Sequence, residues 1–410
     1  MKDLLELIVF DTAFAWTLLA FTVLAIVVMP RLFGVKWLNG LLFAQITLFF
    51  NATTIIAGLS SEAIPEQRGI HFFAVEFLFL AAMYAVYSRL IQHRTRVLEA
   101  LYRFFDGPGA VPFVGFIVLI AIFNFLATPT DGSSRIEYMT GAWFSLLKPF
   151  IQLATPLSYL GVFILLLNKR RRGLGYALLV TAVVSNVMTG SKASFAFSLF
   201  TAFLALRDLS ITPKLQIRGA DKLKLSLFVA ATVSLALTRL DVSAADVSDR
   251  FFLFGEATIL TYFSDKPTAA CENVSTFASM HRGWARLAGD PSATNIDTLF
   301  GFALMIEAVG VNTFTGPNAR LSAYALCNFA DERIVLCAIV VVAYLGLLMF
   351  VFTRSLQRPT LLAIVYPFFL VSLAGASQDF NLIMQDITLF CALLIVIAFI
   401  PKSRPGLSHA

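Results

Sequence analysis

Apolar runs close to the length of a bilayer-crossing helix recur along this chain and leave few folds open to it. A helix rising 1.5 Å per residue needs about 20 mostly apolar residues to cross the hydrocarbon core. Runs of this kind cover 12–29, 37–58, 71–92, 111–127, 145–168, 174–189, 193–206, 225–238, 334–353, 360–376 and 386–400. The expectation is an all-α polytopic membrane protein of about eleven transmembrane helices, twelve if one segment escapes the count. Composition agrees, with 58% hydrophobic residues, 14% charged residues, a mean hydropathy of +0.81 and 41 Phe. No small-residue cleavage site follows the apolar part of MKDLLELIVF, so the first span is expected to be retained.

Charge orients the spans. Connectors bearing Arg31 and Lys36, then Arg89, Arg94, Arg96 and Arg103, then Lys169 to Arg172, then Arg207 to Lys224, then Arg354 and Arg358, are net positive. The segments 1–11, 59–70 and 128–144 are slightly negative. The positive-inside rule assigns the first group to the cytoplasm and the second to the outside. A bacterial inner membrane is expected, with the N-terminus periplasmic and the C-terminus cytoplasmic. The pI near 9.2 is then read as basic cytoplasmic loops, with no nucleic acid partner.

One connector is too long to be a turn. The stretch 239–332 carries six Lys/Arg and eleven Asp/Glu and is expected to be a large periplasmic loop holding short helices, among them ATILTYF. The chain thus divides into an N-terminal transmembrane bundle over 1–238, this loop over 239–332, and C-terminal spans with a tail over 333–410.

The 33-residue run from Leu174 to Leu206 contains MTGSKASFAFS, which sets Lys192 among apolar residues. A lysine at the bilayer centre is costly. The run suits two short spans joined by a tight turn at Thr189–Lys192, with Gly190 free to take a left-handed conformation. Lys192 then lies at the outer interface, either snorkelling into the headgroups or binding a ligand there.

Several chemistries have no signature here. The histidines, His71, His93, His281 and His409, are scattered without zinc spacing. Neither a phosphate-binding Gly-rich loop, an Asp-x-Asp pair nor a G-x-S-x-G elbow occurs, so no metal and no cofactor is expected. Cys337 and Cys391 fall in spans and are expected to pack as small hydrophobes. Cys271 and Cys327 lie in the large loop and are able to form a disulfide if that side is oxidising.

The outer face carries Arg135, Lys192, Arg239, Arg250, Arg282, Arg286 and Arg320 beside apolar or aromatic neighbours. The arginine fork matches phosphate oxygens and keeps its charge, so these cations suit a lipid-linked diphosphate at the membrane surface. The bland reading pairs them with Asp246, Asp249, Asp331 or Glu332 as loop braces. In GWARLAG, Trp284 between two cations suits sugar stacking, and it also suits an interfacial anchor. His281, Glu256 and Glu137 are the candidate general bases. A loop histidine is also commonly just solvated.

At GSKASFAFSLF and TGPNARLSAYALCNFADERIV the chain resembles the Wzy-type polymerases, the repeat-unit polymerases of O-antigen and exopolysaccharide assembly. Gly190, Ser191 and Lys192 match a Gly-Ser-Arg/Lys turn that opens an apolar helix. Pro317, Asn318 and Phe329-Ala330 match a second pattern, with alanine where glycine is usual. Arg250 and Gly255 in DRFFLFGEA resemble a loop motif of the group. An outside N-terminus and about eleven spans depart from the commoner inside N-terminus and twelve or more. The resemblance implies a GT-C-like, metal-independent glycosyltransferase at the periplasmic face. It would move a growing glycan from undecaprenyl diphosphate onto a new undecaprenyl-diphosphate-linked repeat, alongside membrane lipids, a flippase and a chain-length regulator. Lys192, Arg250, Arg320 and Asn318 would then hold the diphosphate and sugar, with Arg135, Arg282 and Arg286 on the second carrier or the leaving group. An O-antigen ligase shares this chemistry. A polysaccharide or lipid transporter is the alternative of another class, but it would need charges near mid-span, and the in-span charges Glu76 and Lys148 lie toward the outer ends.

Overall fold

The structure is a computed structural model that describes residues 12–127, 142–168, 170–188, 194–209, 320–329 and 334–376, with isolated positions 261, 262, 271, 281, 284, 285, 391, 394, 395 and 397–399. Most of the described residues are helical, and no strand occurs among them. The helices are α1 (Thr12–Thr22), α2 (Met29–Leu32), α3 (Leu42–Ser60), α4 (Glu66–Gln92), α5 (Arg94–Asp106), α6 (Ala110–Ala127), α7 (Ala142–Leu167), α8 (Arg172–Met188), α9 (Ser194–Leu209), α10 (Leu321–Phe329), α11 (Ile334–Ser355) and α12 (Pro359–Ala376). A π-helical turn, Val23–Val28, joins α1 to α2.

Two described stretches, Glu66–Gln92 and Leu336–Ser355, are long and apolar enough to cross a membrane. A third is added if Arg94–Asp106 and Ala110–Phe123, bent by 78°, count as one. Shorter apolar helices cover Trp16–Leu32, Ala44–Ser60, Ala154–Leu167, Arg172–Val183 and Pro359–Ala374. The expected span 225–238 lies outside the described residues, and 386–400 is described only at isolated positions.

The chain forms two compact units whose segments interleave. The first comprises Met1–Arg89, Val242–Gly346 and Ser372–Thr388. Its α3 buries Ala44, Leu48, Ala52, Ile55 and Ile56 at helical spacing, while α4 buries Phe72, Val75, Phe79, Leu80 and Met83. Phe21 of α1 meets Phe73 and Phe77 with ring centroids 5.4 and 5.2 Å apart. The α2 helix ends in a Schellman motif, with Val35 N–H donating to Pro30 C=O (2.8 Å) and Gly34 N–H to Arg31 C=O (3.0 Å). Gly34 has φ +68°, which glycine adopts without Cβ crowding.

One expected boundary moves. The second run begins at 37 by hydropathy, yet α3 starts at Leu42. Fully buried Asn39 builds a turn there instead. Its side-chain amide donates to Lys36 C=O (2.8 Å) and Tyr84 Oη (3.2 Å), and its Oδ1 accepts Leu41 N–H (2.7 Å). An asparagine that can bond to its own neighbourhood competes with the helix ladder.

The second unit comprises Leu90–Asp241, Leu347–Val371 and Leu389–Ala410. In it α8 packs on α6 and α7, and α9 and α5 pack on α7. The residues of α5, read from the sequence as part of a basic connector, form an amphipathic helix. Val97, Ala100, Leu101 and Phe105 are buried, and Arg96 and Arg103 are exposed. Arginines lower the mean hydropathy of the stretch and so hide its apolar face.

Candidate functional site

The only described arginine of the large loop, Arg320, begins α10. Its carbonyl accepts Tyr324 N–H at 3.0 Å, which opens the helix. Its guanidinium is 2% exposed and faces Glu76 of α4, also 2% exposed. Nε donates to Oε1 at 3.2 Å and Nη2 to Oε2 at 2.8 Å, a two-pronged pairing that fits the planar fork of arginine. Nη1 donates to Thr47 Oγ1 of α3 at 2.9 Å, and that hydroxyl in turn donates to Ala44 C=O at 2.9 Å.

Glu76 does a second task. Its Oε1 accepts Ser322 N–H at 3.3 Å, so the carboxylate also caps the first turn of α10. A negative charge at a helix N-terminus meets unsatisfied N–H groups and the positive end of the macrodipole. Glu76 lies in α4 about 8 Å from the start of the apolar run 71–92, at 1.5 Å per residue. Ionisable residues at such depth are costly unless paired, and here the pair is internally neutral.

A second polar strand runs beside it. Tyr262, fully buried, accepts at its carbonyl from Arg68 Nη1 (3.0 Å), and its hydroxyl donates to Ser322 C=O (3.2 Å). His71 Nδ1 lies 2.9 Å from that hydroxyl. When the hydroxyl proton goes to the Ser322 carbonyl, Nδ1 carries the hydrogen that reaches Tyr262 Oη. Phe72 meets the Tyr262 ring edge-on at 5.7 Å. Arg68, His71, Phe72 and Glu76 share one face of α4 by their spacing.

Further along α10, Cys327 is disulfide-bonded to Cys271, with Cα atoms 5.1 Å apart across a sequence separation of 56. Helix α10 is therefore anchored at its start by Arg320 and Ser322, and again by Cys327. Cys337 is buried and free.

Of the other residues singled out from sequence, His281 and Trp284 are exposed, Trp284 at 51%. Arg135, Glu137, Lys192, Arg250, Glu256, Arg282, Arg286 and Asn318 lie outside the described residues. Arg320 is not open to a diphosphate in this structure. Three of its five donors point at Glu76 and Thr47, and an anion would have to displace a carboxylate to reach it. Its partner is none of the nearby loop acids but Glu76, 244 positions away. The sequence does hold a signal for this: an in-span carboxylate needs a buried cation. No group of three His, Cys, Asp or Glu side chains able to hold a metal occurs among the described residues. No known protein family, characterised protein or solved structure matches the chain.

Proposed function

We propose that this chain is a polytopic glycosyltransferase of about eleven spans, GT-C-like, that polymerises lipid-linked oligosaccharide repeats at the outer face of a bacterial inner membrane. The observation that carries the reading is the double anchoring of α10. A buried ion pair to α4 and a disulfide to Cys271 fix part of the cation-bearing loop. Rigidly held groups act on a developing charge without reorganising at the moment of reaction. A disulfide also fits the oxidising side of the membrane, where lipid-linked glycans are extended.

In this reading Lys192 and Arg250 hold the diphosphate, Arg135, Arg282 and Arg286 hold the second carrier, and Glu256, Glu137 or His281 activates the acceptor hydroxyl. Arg320 becomes a positioning residue that sets the start of α10. The test is the glycolipid profile of a deletion strain. Accumulated single repeats support polymerisation, long unligated chains point to a ligase, and an unchanged profile removes both. One observation favours a transporter as second reading: Glu76 is buried within a helix long and apolar enough to span. Ion-gradient-driven flux lost in Glu76→Gln vesicles would support that alternative.

A further inference from the structure

The exposed arginines that bracket α5 belong to three connectors brought together in the second unit. Arg94 starts the helix, and Arg96 and Arg103 sit two turns apart on the face opposite Val97, Leu101 and Phe105. At the far end, Arg171 Nη1 donates to Phe105 C=O (3.0 Å) and Gly107 C=O (2.7 Å), and Asn168 donates to Asp106. These bonds draw the 168–172 turn, with exposed Arg170, against the helix C-terminus. At the near end, the His93 ring lies 6.0 Å from Phe352, which brings up the end of α11 with exposed Arg354. Arg354 rests over the Phe350 ring at 5.2 Å, and Phe350 is itself exposed.

Among the described residues of this unit, the exposed carboxylates are Glu99 and Asp106. Glu99 meets Arg103 at 4.0 Å in an open i,i+4 pair, which is weak, and Asp106 already accepts from Asn168. The 78° bend between α5 and α6 fixes orientation. If α6 runs across the bilayer, α5 lies nearly in its plane, with the arginine face at headgroup depth. Half-buried Leu98 and Phe104 edge the opposite, apolar face of α5.

We propose that this arginine face of α5, with Arg170 and Arg354 at its ends, is a seat for anionic phospholipid headgroups on the leaflet that the positive-inside rule assigns to the cytoplasm. Charge complementarity selects the occupant. Guanidinium forks match phosphate oxygens, and a rigid helix holds them without the entropy cost of ordering a loop. Each arginine near an anionic leaflet is worth about fivefold in lipid partition.

The test uses the purified full chain in nanodiscs of equal phosphatidylcholine and phosphatidylglycerol. Lipid retained on the extracted protein is counted by native mass spectrometry. Wild type is expected to keep phosphatidylglycerol in preference. The combined Arg94→Gln, Arg96→Gln, Arg103→Gln and Arg170→Gln variant is expected to lose at least about fivefold of that preference. Its melting temperature in phosphatidylcholine alone is expected to be unchanged, because all four side chains are exposed. A matching set of Arg→Lys changes, which keeps the charge, should retain part of the preference and covers the case in which the glutamine variant fails to fold. No preference in wild type, or equal preference in wild type and the glutamine variant, would overturn the proposal. So would complete displacement of the lipid by inorganic phosphate, which would make the face a site for free anions.

Discussion

Arg320→Ala should be one of the most damaging single changes in the first unit. It leaves the Glu76 carboxylate 2% exposed at span depth, with Ser322 N–H as its remaining donor among the described partners. Removing one member of a buried pair costs about 3–5 kcal/mol, because the surviving charge is stranded away from water. Against a usual stability of about 5–15 kcal/mol, that removes from about a fifth to nearly all of the margin. Glu76→Leu should cost a similar amount by stranding the guanidinium. The double change Glu76→Leu with Arg320→Met removes both charges and should be milder than either single one. It still loses the cap on Ser322 N–H, at about 1 kcal/mol. Thr47→Val deletes one acceptor of the arginine and should fall below both charge deletions. The assay is unfolding of the purified protein in detergent against denaturant, read as a double-mutant cycle. Singles within about 0.5 kcal/mol of wild type, or a double equal to the sum of its singles, would refute the reasoning.

Alkylation of the denatured, unreduced protein should label Cys337 and Cys391 alone, with Cys271 and Cys327 appearing only after reduction. Four labelled thiols before reduction would contradict the bridge. Cys271→Ser with Cys327→Ser should destabilise by about 4 kcal/mol from the loop entropy of a 56-residue separation, measured by the same denaturant titration. Gly161→Ala should cost about 1–3 kcal/mol, since its Cβ would lie 2.5 Å from Cζ of fully buried Phe105 where α5 packs on α7. Adding Phe105→Leu should recover part of that loss, and no recovery would place the strain elsewhere. Arg171→Ala should destabilise by about 1.5–3 kcal/mol by releasing Phe105 C=O and Gly107 C=O, read as a lower melting temperature.

Hydropathy made the long helices readable because a bilayer demands length and apolarity together. Thus α6, α8, α11 and α12 lie over runs marked from sequence within a few residues. It failed where polarity is local. Asn39 sits among Trp37, Leu38 and Leu41, and a window average cannot see one side chain folding back on its own backbone. The face of α5 was diluted by Arg94, Arg96 and Arg103, although its 3.6-residue period was present. Register alone could have revealed it.

The site was less readable. Cys271 and Cys327 stood out from their compartment and their place in one loop. Arg320 was picked out for its charge, but its partner was sought among loop acids because proximity in sequence was the available guide. Glu76 lies 244 positions away, and only the high cost of an unpaired carboxylate at span depth could have joined the two. Tyr262, His71 and Thr47 carry no charge signal at all. Their roles come from where single hydroxyl and imidazole protons must point once the helices have met.

The most direct test of the account is chain growth by the purified protein on undecaprenyl-diphosphate-linked repeat units in a lipid bilayer. The account predicts a ladder of lengthening, still carrier-linked glycans, with one undecaprenyl diphosphate set free per transfer and no added metal, lost in Lys192→Ala and Arg250→Ala. It also predicts that Arg320→Ala loses the ladder only as far as it loses the fold. Intact repeats recovered unchanged from folded wild-type protein, or full ladders from both cation variants, would contradict it.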